Sequence, residues 1–342
     1  MKHKFTNDYS SLCHPEILKA LSNLGEEQNV AYGLDKHSLQ AESYIKDVFE
    51  SPKGQVYFIS GGTMTNLLFI SHALKDYEAV ISLETGHINV HETGAIEGTG
   101  HKIITVKGKN GKIYPSDILG VLKAYKDEHM VKPKLIYISN STEIGTIYKR
   151  KELIDLYELC QENDLYFFID GARLGSALTS KYNDVEPGLL GKVCDAFYVG
   201  GAKNGLMLGE ALVINNPSLQ EDFRYQIKNK GAMISKGYLI GAQFEAAFKD
   251  GLYFDIAKQT NEVADYLKEG LSALNLKMLE SPTNQVFVEV DKDSAKTLIK
   301  EYGLELWEDL KDTQIVRFVV SFTTKKEDVD ELISFVKTNL KR

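Results

Sequence analysis

From Val56 onwards the sequence alternates between short apolar segments and helical segments, and this alternation constrains the fold more than any other feature. The apolar segments that predict strands are VYFIS, AVIS, KIITV, KLIYISNS and LYFFID. The helices predicted between them include one around Glu92–Gly98 and one from Pro115 to about His129. Strands that alternate with helices at this spacing form βαβ units. We therefore predict an α/β fold in which helices cover both faces of a mainly parallel sheet, a three-layer αβα arrangement. Ligands bind such sheets beyond the carboxyl ends of the strands.

The pattern changes beyond about Gly251. A long predicted helix, Phe254–Leu274, is followed by the strands QVFVEV and IVRFVVSF, with a helix between them and a last helix from Asp328 onwards. We therefore predict a large domain with an N-terminal lead-in, residues 1–250, and a smaller α+β domain, residues 251–342. The sequence contains no repeat, low-complexity tract or flexible linker between them, so we expect the two domains to pack closely.

The composition argues against several classes of protein. The net charge is −8 and the sequence has no basic stripe, which argues against nucleic acid as a partner. The cysteines Cys13, Cys160 and Cys194 are scattered and lack metal-ligand spacing, which favours reduced thiols over a disulfide framework. The N-terminus lacks the apolar core of a signal peptide, and no apolar run is long enough to span a membrane. We therefore expect a cytoplasmic protein.

A single lysine, Lys203, lies in the glycine-rich stretch GGAKNG just after the apolar segment Ala196–Val199. Lysine is normally a solvated surface residue, and the glycines around it allow the backbone to approach a bulky group. A hairpin with an exposed lysine at its tip is the structural alternative. An acid upstream favours a functional site, because Asp170 ends the predicted strand LYFFID and is followed directly by Gly-Ala-Arg.

Together with the turn formed by Gly61, Gly62 and Thr63, these two residues form the set that pyridoxal phosphate requires. A lysine binds the cofactor covalently, an aspartate pairs with its pyridine nitrogen, and the free N–H groups of a helix start bind its phosphate. Each residue also has a structural alternative: Thr63 could simply cap a helix, and Asp170 could form a cap or a surface ion pair. All lie just beyond predicted strand ends, which favours a pyridoxal-phosphate enzyme.

Two histidines and two arginines are further candidates. His87 follows a short strand in a polar loop, where an imidazole can stack on a pyridine ring or relay protons. His91 is its competitor, and the pair lacks a third ligand at a recognised spacing, so we expect no metal site. Arg173 is suited to a bidentate pair with a substrate carboxylate. Arg317 lies in an apolar strand and needs a partner, either a substrate carboxylate or a structural ion pair.

With these residues assembled, the sequence resembles the low-specificity L-threonine aldolase family of pyridoxal-phosphate enzymes. This family has the aspartate-aminotransferase-like fold, fold type I, so the resemblance implies the same architecture here. The small domain matches only loosely, through the strand that contains Arg317. The matching stretches, in the order of the family, are SGGTMTN (60–66), GHINVHETGA (86–95), STEIGTIY (141–148), FIDGARL (168–174) and GGAKNG (200–205).

The resemblance implies a role for each cofactor-binding residue. Lys203 carries the cofactor, Asp170 contacts the pyridine nitrogen, and His87 stacks on the ring. Gly62 and Thr63 bind the phosphate.

The resemblance also implies how the substrate is held. Arg173, which belongs to the cofactor-binding set as well, and Arg317 bind the substrate carboxylate. The active sites of this family form between the subunits of homodimers or homotetramers, and a basic residue of a neighbouring chain helps to hold the phosphate. Lys236 is the candidate for that residue. Asn7 stands where many members have a serine that touches the carboxylate, and asparagine can donate the same hydrogen bond.

The implied activity is cleavage of the Cα–Cβ bond of L-threonine, L-allo-threonine and related β-hydroxy-α-amino acids to glycine and an aldehyde. Glu143 stands where some members have a histidine proposed to take the β-hydroxyl proton, and Glu143, His87 or water could act as this base. A β-eliminating lyase and an aminotransferase are the alternatives on the same scaffold. A catalytically silent binding protein is an alternative of another class, but the sequence shows neither a decayed site nor an added DNA-binding module.

Overall fold

The computed structural model describes residues 4–340 and contains a seven-stranded and a four-stranded sheet. The order of the large sheet is β1-β7-β6-β5-β4-β2-β3, and its strands are parallel except β7, which runs antiparallel to both of its neighbours. This confirms the predicted mainly parallel sheet. Its strands are β1 (Gln55–Ile59), β2 (Glu78–Leu83), β3 (Lys102–Val106), β4 (Lys132–Ser139), β5 (Tyr166–Asp170), β6 (Ala196–Gly200) and β7 (Glu210–Ile214).

Helices cover both faces of this sheet, because successive side chains of each strand point to opposite faces. In β5, for example, Phe167 and Ile169 belong to one apolar core and Phe168 belongs to the other. The α-helices before residue 250 are α1 (Pro15–Asn23), α2 (Lys36–Val48), α3 (Gly62–Ala73), α4 (His87–Val90), α5 (Pro115–Ala124), α6 (Arg150–Glu162), α7 (Leu174–Leu178), α8 (Phe223–Asn229) and α9 (Tyr238–Lys249). Residues of α2, α6 and α9 pack in the first core, and residues of α3 and α8 pack in the second.

A third apolar core lies between the small sheet and the helices that cover it. The small sheet is antiparallel throughout and has the order β10-β11-β9-β8. Its elements are α10 (Leu252–Ala273), β8 (Lys277–Met278), β9 (Gln285–Asp291), α11 (Lys292–Tyr302), β10 (Glu305–Asp309), β11 (Thr313–Val319) and α12 (Lys326–Asn339).

The long helix α10 connects the two parts of the chain. Tyr253 in its first turn belongs to a core of the large sheet, whereas Leu267 and Leu271 belong to the core of the small one. Phe5, at the other end of the chain, is also fully buried in the core of the small sheet. The domain division near residue 250 remains a prediction, and α10 begins at that point.

Two predicted helices differ from those observed. The helix predicted from Pro115 to about His129 ends at Ala124, and the side chain of Asp127 accepts a hydrogen bond from the N–H of His129 at 2.8 Å. A short polar side chain that bonds to nearby backbone in this way competes with helix formation. The helix predicted around residues 92–98 is interrupted at Thr93 and Gly94, both of which have a positive φ. Within residues 4–340, no helix combines the length and apolar character needed to cross a membrane.

Candidate active site

The residues predicted to carry chemistry lie at one edge of the large sheet. Strands β1, β2, β5 and β6 point in the same direction, and each ends next to one of these residues. Thr63 follows β1, His87 follows β2, Asp170 is the last residue of β5, and Lys203 lies just beyond β6. The fold therefore brings residues from distant parts of the sequence to the edge where such sheets bind ligands.

Lys203 lies in a short 3₁₀ turn, Ala202–Asn204, with a glycine on each side of it. Gly205 has a φ of 85°, and a Cβ added at Gly201 would lie 2.5 Å from a backbone oxygen. Burial lowers the pKa of the Lys203 amine, and the nearby cation of Arg173 lowers it further, against the opposing effect of the acids Asp8, Asp170 and Glu210. A lowered pKa leaves more of the amine uncharged, which is the form that attacks an aldehyde.

Asp170 is buried and accepts four hydrogen bonds. The donors are the hydroxyl of Tyr137 at 2.6 Å, the hydroxyl of Tyr198, the side-chain amide of Asn66 at 3.1 Å and the N–H of Ala172 at 3.0 Å. Burial by itself would raise the pKa of Asp170, but the charge of the nearby imidazole and the tyrosine hydroxyls lower it below its ordinary value. The group is therefore a fixed anion, as required to pair with a protonated pyridine nitrogen.

A buried acid holds the imidazole of His87. Nδ1 of His87 donates to Oε1 of Glu92 at 2.8 Å, and the side chain of Glu92 is fully buried. The same oxygen accepts from the amide of Asn66 at 2.8 Å, and that amide also donates to Asp170. His87 and Asp170 are thus joined through two buried polar side chains, which fixes the plane of the imidazole.

The turn after β1 leaves the start of α3 free to bind an anion. In the part of the chain that the structure describes, no side chain caps this helix, which begins at Gly62. A Cβ added at Gly61 would meet no heavy atom within 4 Å, so there is open space beside the helix start. The unpaired N–H groups and the positive end of the helix dipole favour a phosphate here. Thr63 is exposed on the first turn.

Arg173 forms a bidentate ion pair with Asp8 of the N-terminal segment. Its Nε and Nη2 donate to the two carboxylate oxygens at 2.7 and 3.0 Å, and the amide of Asn284 donates to the same acid at 3.0 Å. Burial by itself would raise the pKa of Asp8, but the charges of Arg173 and Lys203 lower it. Asn7 uses its side-chain oxygen within its own turn, where it accepts from the N–H of Tyr9 at 3.0 Å.

The sequence left two alternatives open for the partner of Arg317, a substrate carboxylate or a structural ion pair, and the structure contains an ion pair. The guanidinium of Arg317 lies 5.2 Å from the centre of the Trp307 ring, donates to Gln285 at 3.0 Å and pairs with Glu305 at the protein surface. Its Nε is buried and has no hydrogen-bond partner among the described residues. Of the guanidinium nitrogens, Nη1 and Nη2 therefore have partners, and Nε has none among the described residues. Burial lowers the pKa of Arg317, and the nearby Arg173 contributes to this.

Two further predicted residues, Glu143 and Lys236, lie on loops. Glu143 is half-buried, and its Oε1 accepts from Ser139 at 2.7 Å and from the backbone N–H of His87 at 2.9 Å, so it holds the start of α4. Burial raises its pKa. Lys236 is exposed on the loop between α8 and α9. Within residues 4–340 it forms no hydrogen bond or ion pair with another predicted site residue.

Sequence reasoning did not identify several residues that complete the site. Tyr137 and Tyr198 contact predicted site residues but lie in apolar strands with no distinctive pattern, whereas Asp8 directly follows Asn7, with which it forms the pair that matches the Ser-Asp pair of many family members. Asn66 and Glu92 lie inside the matched stretches SGGTMTN and GHINVHETGA, which was the one available signal. Of the described residues, no group of three or more His, Cys, Asp or Glu side chains is arranged to hold a metal ion.

These groups fit pyridoxal phosphate. A lysine with a lowered pKa can bind the cofactor aldehyde, and Asp170, which is charged at neutral pH, can pair with the pyridine nitrogen. The uncapped start of α3, with open space at Gly61, can receive the phosphate. The imidazole of His87 is held in a fixed plane at the same edge. Pyridoxal phosphate is therefore the cofactor of this protein.

Known proteins with the same features are similar over nearly the whole chain. The family model for beta-eliminating lyases matches residues 8–293. The low specificity L-threonine aldolase of Pseudomonas sp. (strain NCIMB 10558) is 29% identical, with 97% of this chain and 96% of that protein covered. The structure of the Leishmania major threonine aldolase is 42% identical, with a TM-score of 0.95 and 97% and 98% of the two chains covered.

More distant structures share the fold alone. The aspartate aminotransferase of Thermus thermophilus is 16% identical, with a TM-score of 0.72 and 95% of this chain and 88% of the other covered. It confirms the predicted aspartate-aminotransferase-like architecture. The match of the family model to residues 8–293 and the 42% identity over nearly the full length show membership of a family as well as a shared fold. The chain belongs to the beta-eliminating lyase family and, within it, to the threonine aldolases.

Proposed function

We propose that this protein is a lyase that cleaves the Cα–Cβ bond of L-threonine, L-allo-threonine and related β-hydroxy-α-amino acids, giving glycine and an aldehyde. The observation that carries this proposal is the buried Lys203 amine beside Asp170, which is charged at neutral pH, in a chain that is 42% identical to a threonine aldolase. When bound, pyridoxal phosphate supplies the electron sink that accepts the electron pair left at Cα.

The two arginines would bind and orient the substrate carboxylate. Asp8 occupies Nε and Nη2 of Arg173, so Nη1 remains as the donor that can reach a ligand. Arg317 would contribute its guanidinium, whose Nε has no hydrogen-bond partner among the described residues. Two donors fixed by other contacts would determine which bond of the substrate stands perpendicular to the cofactor plane and therefore breaks. Asn7 remains a proposed third contact to the carboxylate.

We also propose a homodimer or homotetramer whose active sites lie between subunits. An apolar surface is formed by the N-terminal lead-in and by the region around α8 and α9, and Tyr225 is 77% exposed there. Its exposed apolar residues are Val30, Tyr32, Leu34, Leu39, Tyr225, Ile234 and Leu239. Tyr32 contacts the loop that carries Lys236, because its N–H donates to the backbone oxygen of Ser235 at 3.0 Å. A second copy that covers this surface would bring Lys236 towards its partner's phosphate site.

A cytoplasmic location is part of the proposal. Cys13, Cys160 and Cys194 are all free thiols, which suits a reducing compartment. Burial raises the pKa of the Cys160 and Cys194 thiols, so these two are unreactive.

The test is to mix cofactor-loaded protein with L-threonine and with L-allo-threonine and to measure acetaldehyde release with a coupled dehydrogenase. We expect release with at least one of the two, and none in Lys203→Ala, which has no amine to bind the cofactor. Near-normal turnover by Lys203→Ala would refute the assignment. Release of an oxo acid in place of acetaldehyde would indicate an aminotransferase or a β-elimination.

A further inference from the structure

The imidazole of His91 lies in the site but has no role in the proposal above. Its ring centre is 5.5 Å from that of His87, at an angle of 48° between the planes. The N–H of His91 donates to the backbone oxygen of His87 at 2.9 Å, at the end of the short helix α4, and the residue is exposed. Its side chain is therefore accessible to solvent and lies next to the imidazole that is expected to stack on the cofactor.

The two other side chains that are candidates for the β-hydroxyl proton already have hydrogen-bond partners. Nδ1 of His87 is hydrogen-bonded to Glu92, and its ring face is needed for the cofactor. Oε1 of Glu143 accepts two hydrogen bonds, from Ser139 and from the backbone of His87, which hold the carboxyl group at the end of β4. His91 is the nearby imidazole whose ring nitrogens have no hydrogen-bond partner in the described part of the chain.

We propose that His91 is the catalytic residue that takes the β-hydroxyl proton of the substrate during Cα–Cβ cleavage. This inference rests on the proposed aldolase function. The O–H proton moves to a ring nitrogen of His91 while the C–O bond becomes the carbonyl of the aldehyde. The electron pair of the broken Cα–Cβ bond stays with Cα, which is then protonated to give glycine. Loss of the proton from the imidazolium returns His91 to its neutral form.

The charges around His91 favour the neutral ring that a base requires. Burial lowers the pKa of His91, and the cationic groups of His87, Arg317 and Lys203 lower it further, whereas Glu305 raises it. At neutral pH the ring is therefore unprotonated and can accept a proton. As the pH falls through this pKa the base is lost, so we expect His91 to contribute to the acidic limb of the pH dependence of kcat/KM for threonine.

The test compares two reactions of the loaded enzyme, since glycine has no β-hydroxyl group. In His91→Phe, which keeps an aromatic ring but cannot take a proton, we expect acetaldehyde release from threonine to fall by about 10²-fold or more. Exchange of the glycine Cα hydrogen with D₂O, followed by NMR, should persist. The matched control is His129→Phe, which removes an exposed histidine on the loop after α5 and should leave both reactions unchanged.

A third measurement does not depend on turnover. The ring signal that disappears from the NMR spectrum in His91→Phe should titrate in the wild-type enzyme with a midpoint below that of an ordinary histidine. A His91→Phe enzyme that cleaves threonine at the wild-type rate, or that loses glycine exchange to the same extent, would overturn the proposal. Selective loss of threonine cleavage in Glu143→Gln, with His91→Phe active, would assign the base to Glu143.

The proposed function fails in a different way. Wild-type enzyme that exchanges the glycine hydrogen but releases no aldehyde from either threonine isomer would refute the aldolase activity, and the role of His91 with it. Wild-type enzyme that releases aldehyde, together with an active His91→Phe variant, would refute the role of His91 alone.

Discussion

The ion pair between Asp8 and Arg173 gives the most direct test of the structural argument. It joins the N-terminal segment to the turn after β5, and both side chains are largely or fully buried. In Asp8→Asn the side chain keeps its shape but loses its charge, which leaves the guanidinium of Arg173 without an ionic partner. Removing one member of a buried pair costs about 3–5 kcal/mol, because the other charge stays buried and unpaired.

This cost can be converted into a melting temperature. With an unfolding entropy of about 2 cal/mol/K per residue, the 342 residues give about 0.7 kcal/mol per degree. We therefore expect Asp8→Asn to lower Tm by about 4–7 °C at pH 7, with the lower end favoured because the remaining oxygen can still accept one hydrogen bond. Scanning calorimetry of the loaded enzyme measures the shift.

The matched control is an ion pair of similar geometry at the surface. Lys151 and Asp155 are 2.6 Å apart on α6, one turn from each other; Lys151 is exposed and Asp155 is partly exposed. Such pairs contribute about 0.3–0.5 kcal/mol. Asp155→Asn should therefore shift Tm by about 1 °C or less.

The pH dependence gives a second, independent criterion. The pKa of Asp8 is lowered in the folded protein, so its stabilisation is present above the pKa of the unfolded chain and is lost as the pH falls through the folded pKa. The difference in Tm between wild type and Asp8→Asn should therefore be full at pH 7 and shrink in acid. A Tm within about 1 °C of wild type at pH 7, or a difference that is the same at all pH values, would refute this reasoning.

Two further substitutions test the hydrogen bonds around the cofactor site. Tyr137→Phe removes one donor to Asp170, which costs about 1.5–3 kcal/mol and raises the pKa of this acid. The acidic limb of the kcat/KM profile should therefore move to higher pH, with little change at pH 7, and an unmoved limb would contradict the role of the phenol. Glu92→Gln replaces a charge-assisted hydrogen bond to His87 with a neutral one and should weaken cofactor binding by about 1 kcal/mol, or about fivefold in Kd. Absorbance titration with pyridoxal phosphate measures this Kd. An unchanged Kd would show that the charge of Glu92 is not needed for cofactor binding.

Periodicity and turn residues were sufficient to predict the architecture. The alternation of apolar strands with helices predicted the parallel sheet, because both faces of such a sheet are buried and its strands are apolar throughout. The same pattern located strand ends, so it indicated that residues as distant as Thr63, Asp170 and Lys203 would lie at one edge. Element ends were predicted less well. Helix α5 ends at Ala124, and just beyond it the side chain of Asp127 accepts a hydrogen bond from the N–H of His129. Such a bond competes with helix formation but leaves no trace in the periodicity.

The sequence by itself thus determined which residues would lie at one edge of the sheet, and the tertiary structure decided which side chains hold them there. Asp8 pairs with a guanidinium 165 positions away, and Tyr137 and Tyr198 donate to Asp170 from the two strands on either side of β5. These partners are set by strand order and by the path of the N-terminal segment. Periodicity reports the face of an element on which a side chain lies, but a hydrogen bond requires a specific partner at about 3 Å, and only the folded chain fixes that distance.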